Sequence, residues 1–353
     1  MEWLIETLGD PGALGLAGAL VGLLFGAAAQ QSRFCLRAST VEVAEGHPGP
    51  RLAVWLLAFF TAVSSVQLAI HFGILDLSGA RVLAATGSMS GAVIGGLMFG
   101  TGMILARGCA SRLLVLASSG NLRALVSGLV VTLVAQSAYK GVLSPAREAI
   151  SALWTIPGGG ERSLAAMLGL SPLAVGAIAL FCLGGAVVYA MRNRVPVWHM
   201  ATGALVGLAV ALGWWATFAI SQVSFEVVPI SSVTFTGPST DTLMVLVTQP
   251  RVTLSFGIGL VPGVAVGAGL AALLTREWRL ERFGADTPME RYLVGAALMG
   301  FGAMLAGGCA VGAGVSGGAA MSVTAWTAVF CMWVGAMVTQ RVLTLRMGQS
   351  VSA

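Results

Sequence analysis

Long apolar runs separated by short polar or basic segments dominate this chain. About 20 apolar residues in helical conformation cross a bilayer, and nine runs fit that length. They lie near residues 12–30, 51–73, 88–107, 122–142, 172–191, 198–220, 251–275, 289–306 and 322–341. The pattern predicts an all-α integral membrane protein with about nine transmembrane helices.

The last two runs belong to a stretch without Asp, Glu, Lys or Arg, from Tyr292 to Gln340, 49 residues long. This length exceeds one span and is too short for three. Its glycine-rich centre, residues 307–318, predicts a span that ends at Cys309 and is followed by a re-entrant half-helix, a short helix that enters the membrane without crossing it. Gly108 and Cys109 repeat the break. Irregular backbone at membrane depth must be buried in protein or line a cavity, so both breaks are expected to face a cavity.

The chain contains an internal repeat. Residues 95–110 (GGLMFGTGMILARGCA) and 295–310 (GAALMGFGAMLAGGCA) agree at eight of sixteen positions and align Cys109 with Cys309, and GALVGL occurs at Gly18 and Gly203. The copies lie five spans apart, and an odd offset inverts the second one. We therefore expect two inverted repeats, residues 1–165 (spans one to four) and 198–353 (spans six to nine), joined by a connecting span in residues 166–197. Such repeats are typical of secondary transporters.

Composition and charge agree with a membrane location. Hydrophobic residues make up 57% of the chain, charged residues 9%, and mean hydropathy is +0.89. Loop arginines that orient a membrane protein explain the net charge of +5 without nucleic acid. The acidic residues Glu2, Glu6 and Asp10 before the first run argue against a cleaved signal peptide. A periplasmic N-terminus and a cytoplasmic C-terminus leave only five of the 19 basic residues outside: Arg81, Lys140, Arg147, Arg162 and Arg251.

The two aligned cysteines are the candidate chemistry. A half-helix that starts after each one points free N–H groups and a positive dipole end at the cavity, which suits an anion. The supporting residues are Gly108, Ala110, Ser111, Gly308 and Ala310. Helix packing is the preferred explanation of four other repeated glycines, Gly95, Gly100, Gly295 and Gly300. Five cysteines without a CxxC pair and three histidines give no indication of a metal site, a dithiol pair or a cofactor.

The other cysteines differ from these two and from each other. Cys182 and Cys331 lie in unbroken apolar runs and are predicted to be structural. Cys35 lies in a polar, basic segment after the first span, QQSRFCLRAS, at a second expected re-entrant turn. Its counterpart in the repeat alignment is Ile220, so the site is expected to be asymmetric.

Three segments, SRFCLRAST, ARGCASRLLVLASSGNLR and AGGCAVGAGVSGG, resemble the YeeE/YedE sulfur-transport family. The resemblance implies an hourglass-like bundle in the bacterial inner membrane, with a narrow conduit in which Cys35, Cys109 and Cys309 contact thiosulfate in succession. It also implies a TusA-like sulfur-carrier protein as a cytoplasmic partner, besides membrane lipid. A related branch of the family is linked to selenium, which leaves a related sulfur or selenium species as an alternative substrate.

The residues themselves fit a transporter of a sulfur dianion. A neutral thiol is a soft, weak hydrogen-bond donor, and conduction needs binding that is favourable yet weak and divided among sites. Without a visible ladder of buried acids for proton coupling, consumption of the ion inside the cell is the simplest driving force. Arg37 and Arg112 either meet the substrate or only set the topology. The alternatives are a membrane sulfur-relay enzyme with a Cys109 thiolate and a purely structural subunit. The polar stretch 221–249 is either a vestibule folded into the bundle or a solvated loop.

Overall fold

The protein is an all-α integral membrane protein. The computed structural model describes residues 2–224, 226–248, 253–282 and 289–351, of which 76% are helical. Within those residues nine helical segments have the length and apolar composition to cross a bilayer, and each overlaps one predicted span. The expectation of about nine spans is confirmed. Arg251, which the topology places outside, lies beyond the described residues.

Ten helices precede residue 193: α1 Glu2–Ser32, α2 Leu36–Ala44, α3 Pro50–His71, α4 Arg81–Ala84, α5 Met89–Leu105, α6 Ala110–Ser118, α7 Leu122–Lys140, α8 Ser144–Ala152, α9 Leu164–Met167 and α10 Pro172–Arg192. Five follow: α11 Val197–Ser221, α12 Thr236–Thr248, α13 Phe256–Leu274, α14 Met289–Leu305 and α15 Val323–Val351. A π-helix spans Ala310–Gly317, a 3₁₀ turn spans Gly160–Arg162, and two short strands, β1 Gly87–Ser88 and β2 Thr155–Ile156, pair antiparallel.

Glycine lets the long helices approach at backbone distance. A Cβ built on Gly95 of α5 lies 2.5 Å from the carbonyl oxygen of Gly302 in α14, and one on Gly302 lies 2.7 Å from the carbonyl oxygen of Gly95. The same holds for Gly295, 2.6 Å from the Ala106 nitrogen, and for Gly300, 2.6 Å from the Val131 carbonyl oxygen. Gly100 meets the Met332 carbonyl oxygen in the same way. The predicted packing role of these glycines is confirmed.

The packing partners in the two halves of the chain correspond to each other. Helix α5 packs on α14 and α15, while α14 packs on α5 and α7. Helix α1 packs on α11 and α13, while α11 packs on α1 and α3. The short α2 contacts α3 and α15, and α12 contacts α13 and α7. The division of the chain into residues 1–165, 166–197 and 198–353 stays a prediction, which this correspondence favours.

The polar stretch 221–249 folds back into the bundle over its described part. Val233 and Phe235 are buried, and Phe235 packs against Phe25 of α1 with ring centroids 5.2 Å apart. Ser316 of the π-helix donates a hydrogen bond to the Val233 carbonyl oxygen at 2.6 Å. Of the two alternatives for this stretch, folding into the bundle is confirmed and the solvated loop is wrong. Its role as a vestibule stays a prediction.

Arg162, in the 3₁₀ turn, links the segment before α5 to the start of α15. Its guanidinium donates hydrogen bonds to the carbonyl oxygens of Arg81 at 3.1 Å and Ala85 at 2.6 Å, and to the Thr324 hydroxyl at 3.1 Å. Burial lowers the pKa of Arg162, and the charge of Arg81 acts in the same direction. These bonds hold the residue 160–163 turn against the start of α15.

The α5–α14 contact gives a first prediction. Replacing Gly95 by alanine forces the two backbones apart, and overpacking of this kind costs about 1–3 kcal/mol. We expect the Gly95→Ala protein to unfold several degrees below wild type in a thermal melt in detergent.

Gly184 on α10 is the matched control, because no atom lies within 4 Å of a Cβ built there. Gly184→Ala should leave the melting temperature unchanged or slightly raised, since alanine favours the helix. Equal melting temperatures for the two variants would contradict close packing at Gly95.

Candidate functional site

The three helices that precede Cys35, Cys109 and Cys309 end in the same way. Each continues into a residue in the left-handed conformation, two positions before the cysteine: Arg33 (φ 54°), Arg107 (φ 55°) and Gly307 (φ 79°). The next N–H group donates to a carbonyl five residues back: Phe34 to Ala29 at 3.2 Å, Gly108 to Met103 at 3.1 Å and Gly308 to Ala303 at 2.9 Å. This closure satisfies carbonyl groups that a helix end leaves free. The chain therefore turns at all three points without stranding those groups.

Each cysteine then occupies the N-cap position of a new short helix. Cys35, Cys109 and Cys309 have extended backbone and directly precede α2, α6 and the π-helix. The Gly312 N–H group donates to the Cys309 sulfur at 3.5 Å. The N–H groups of Ala38 and Arg112 face the Cys35 and Cys109 sulfurs at the same offset of three residues, without a full capping bond. The expected short helices after the cysteines are confirmed, with the difference that the third is a π-helix.

The three thiols are buried, and two of them are neighbours. Cys35 is 9% exposed, Cys109 1% and Cys309 0%. The Cys35 and Cys109 thiols interact with each other, and the Ser111 hydroxyl lies 3.4 Å from the Cys109 sulfur. Helix α6 contacts the π-helix, so the short helices that follow Cys109 and Cys309 meet. The structure thus brings the Cys35 and Cys109 thiols together and places Cys309 at the start of the adjoining short helix.

The two arginines singled out by the sequence take different positions. Arg112, on the first turn of α6, interacts with the Cys35 and Cys109 sulfurs. Arg37, on α2, interacts electrostatically with Cys35 and also with Arg107, Arg291 and Tyr292. Arg123 makes a cation–π contact with Tyr292, its guanidinium lying 5.0 Å from the ring centroid. Positive side chains from two helices, α2 and α6, therefore act on the Cys35 thiol.

The segment before α12 packs against the π-helix, a contact that the repeat alignment did not predict. The side chain of Thr234 fills the space beside Gly312, on the first turn of the π-helix. Ile220, the counterpart of Cys35 in the alignment, lies within α11, and the residue that precedes the corresponding short helix is Phe235. The link from α11 to α12 runs from residue 221 to 236, against 32 to 36 in the first half, and this longer link displaces the counterpart. The expected asymmetry is present, because phenylalanine stands where the first half has a thiol.

The remaining cysteines stand apart from the breaks. Cys182 is partly exposed on α10, and Cys331 is buried within α15. In the described ranges no three His, Cys, Asp or Glu side chains lie close enough to hold a metal ion. The side chains that interact with Cys109 are Cys35, Ser111 and Arg112, and none of these is a general base.

Comparison with known proteins identifies the family. A family model described as sulphur transport matches residues 31–338. The chain is 27% identical over 343 residues to the thiosulfate transporter TsuA of Escherichia coli strain K12, which covers 91% of this chain and 92% of that protein. It is also 27% identical over 332 residues to the thiosulfate transporter TsuA of Spirochaeta thermophila, which covers 88% of this chain and 93% of that protein. The chain therefore belongs to the sulphur transport family, as a membrane transporter of sulfur species and not an enzyme.

Proposed function

We propose that this protein imports thiosulfate across the bacterial inner membrane along a path lined by Cys309, Cys109 and Cys35. The observation that carries the proposal is that three cysteines are buried in the bundle and each stands at the start of a short helix. The two relatives named as thiosulfate transporters over nearly the whole chain support the choice of substrate.

The chemistry of the three positions suits a soft dianion. Helix N-termini attract negative charge through free N–H groups, and Gly108, Ala110, Ser111, Gly308 and Ala310 supply backbone at these termini. Neutral thiols present a polarisable surface to the terminal sulfur of thiosulfate, whereas thiolates would repel the ion. Attraction spread over several weak sites lets the ion bind and leave again.

The helix packing supports the proposed architecture. Corresponding partners for α1 and α11, α5 and α14, and α2 and α12 are what two repeats related by a two-fold axis would produce. Inversion places the two sets of breaks head to head around one conduit. The excess of arginine in loops on one side supports a cytoplasmic C-terminus. Exposed apolar side chains on α10, among them Ile178 and Phe181, suit contact with lipid.

Inward movement of a dianion needs a driving force. Against an inside-negative potential, each charge costs about 2.3 kcal/mol per 100 mV, so two charges cost roughly 4.6 kcal/mol. At 100 mV, passive entry then stops when the inner concentration is about two-thousandfold below the outer one. Consumption of thiosulfate in the cytoplasm removes this limit, and a TusA-like sulfur carrier at the inner face is the proposed acceptor.

The alternative of a sulfur-relay enzyme with a Cys109 thiolate is not retained, because the matching family and both relatives are described as transporters.

The cysteines provide the direct test of the proposed path. We expect Cys109→Ala and Cys309→Ala to lower the initial rate of labelled thiosulfate uptake into proteoliposomes by about tenfold or more, because each removes one of a few serial binding sites. Cys35→Ala should act in the same direction.

Cys182→Ala is the matched control, since Cys182 lies on α10 away from the breaks, and it should transport at the wild-type rate. Wild-type vesicles that take up no label would contradict thiosulfate transport. If all three cysteine variants take up label at the wild-type rate, the cysteine-lined path is contradicted but thiosulfate transport is not. Excess sulfate should compete only weakly, because it lacks a terminal sulfur.

Membrane potential tests the passive movement of a dianion. An inside-positive potential of about 60 mV, set with valinomycin and potassium, should raise the accumulation of label about 100-fold over vesicles at zero potential, since two charges move with the field. The measurement is the plateau of labelled thiosulfate. A plateau that ignores the potential would indicate electroneutral coupling to another ion.

A further inference from the structure

A polar cavity is lined in part by Arg112, the arginine that interacts with the Cys35 and Cys109 thiols. It has a volume of about 230 Å³, the space of several water molecules, and lies between the end of α1, the start of α3, α6 and the segment after α13. Its charged lining consists of Arg33, Arg51, Arg112, Arg279, Glu277 and Glu281. Four arginines and two glutamates give the cavity a formal excess of two positive charges.

Hydrogen bonds connect the exposed residues of this cavity, Arg33 and Glu277, to the half-buried Arg112. Arg33 pairs with Glu277 at 3.3 Å, and the Gln30 amide nitrogen donates to the same carboxylate at 3.1 Å. The Gln30 oxygen accepts from Arg112 at 3.5 Å. Glu281 accepts a hydrogen bond from Asn121. Gln30 therefore links Glu277 to Arg112, the arginine that interacts with the two thiols.

The arginines of the cavity repel one another, and among the described residues only Arg33 has an acidic partner, Glu277. Arg51 and Arg33 both act on Arg112 with like charge. Across the described ranges, Arg51, Arg112 and Arg279 form no ion pair. Arg51 and Arg112 are half-buried, whereas Arg33 and Arg279 are exposed. Half-buried like charges are costly to hold together unless a counter-ion is bound. An ion of charge −2 would neutralise the excess.

We infer that this cavity is an inner binding site for a small divalent oxyanion, which recognises charge rather than sulfur and receives the transported ion from the Cys35–Cys109 pair. Glu277 competes with the ion for Arg33 and for Gln30, and its return to them promotes release. The inference rests on the proposed transport function for its role, while the site itself is defined by its charged residues. Inorganic sulfate, a dianion of the same shape without a soft sulfur, should therefore bind here although the thiols discriminate against it.

Sulfate binding to the purified full-length protein tests the site separately from transport. Equilibrium dialysis with labelled sulfate is expected to show saturable binding that weakens with added salt. Arg51→Gln and Arg279→Gln should each weaken it about tenfold, because each removes a charge-assisted hydrogen bond to the anion. Neither arginine is among the groups that interact with the thiols, so a loss is not explained by damage to the cysteines.

Arg341→Gln is the matched control, since Arg341 is exposed on α15 and does not line the cavity, and its sulfate affinity should equal that of wild type. Absence of saturable sulfate binding, or equal affinity in all three arginine variants, would overturn the inference. If sulfate binds as expected while wild-type vesicles take up no thiosulfate, the anion site stands and the proposed function fails.

Glu277→Gln provides a gain of affinity, which misfolding cannot imitate. Removal of the competing carboxylate should tighten sulfate binding several-fold and slow thiosulfate turnover in vesicles, because release loses its competitor. Glu45→Gln, an exposed change outside the cavity, should alter neither. Unchanged sulfate affinity in Glu277→Gln would show that Glu277 does not compete with the anion.

Discussion

A helix that breaks inside a membrane protein must find partners for its free backbone groups, and this requirement governs the structure. At three points the chain meets it with the same device, a left-handed residue that closes one helix and a cysteine that begins the next. Lipid supplies no hydrogen bonds, so each break must lie inside the bundle. The cysteines are consequently buried, and the N–H groups beside them face the interior.

Glycine makes room for these breaks. Because α5 and α14 touch through Gly95 and Gly302, the long helices occupy little space and the short helices after Cys109 and Cys309 meet in the interior. The segment that ends at Phe235 fills the remaining gap against Phe25 and the π-helix. The two halves have corresponding packing partners but different side chains at the breaks. The second half has Phe235 where the first has Cys35, so only the first half contains a thiol pair.

Two kinds of anion attraction lie next to each other at this pair. Thiols and helix ends attract weakly and favour a soft sulfur, whereas the arginines around Arg112 attract strongly and favour charge. A site of the second kind alone would hold a dianion too firmly for rapid transport. The Glu277 carboxylate, tied to Arg33 and Gln30, supplies the competition that we propose for release. Selection and discharge would then fall to neighbouring but separate groups.

Sequence alone was sufficient for the membrane class, the nine spans and the three helix breaks. The spans follow from local hydropathy, the breaks at Cys109 and Cys309 from glycine and the duplicated GCA motif, and the break at Cys35 from the polar, basic segment around it. Three relations were visible only in the folded chain. They are the meeting of the Cys35 and Cys109 thiols, the position of Phe235 in the place that corresponds to Cys35, and the cavity that Arg112, but not Arg37, shares with Arg279 and Glu277. Those relations join residues more than 70 positions apart in most cases. Helix packing fixes them, and neither periodicity nor composition records how distant helices are rotated toward each other.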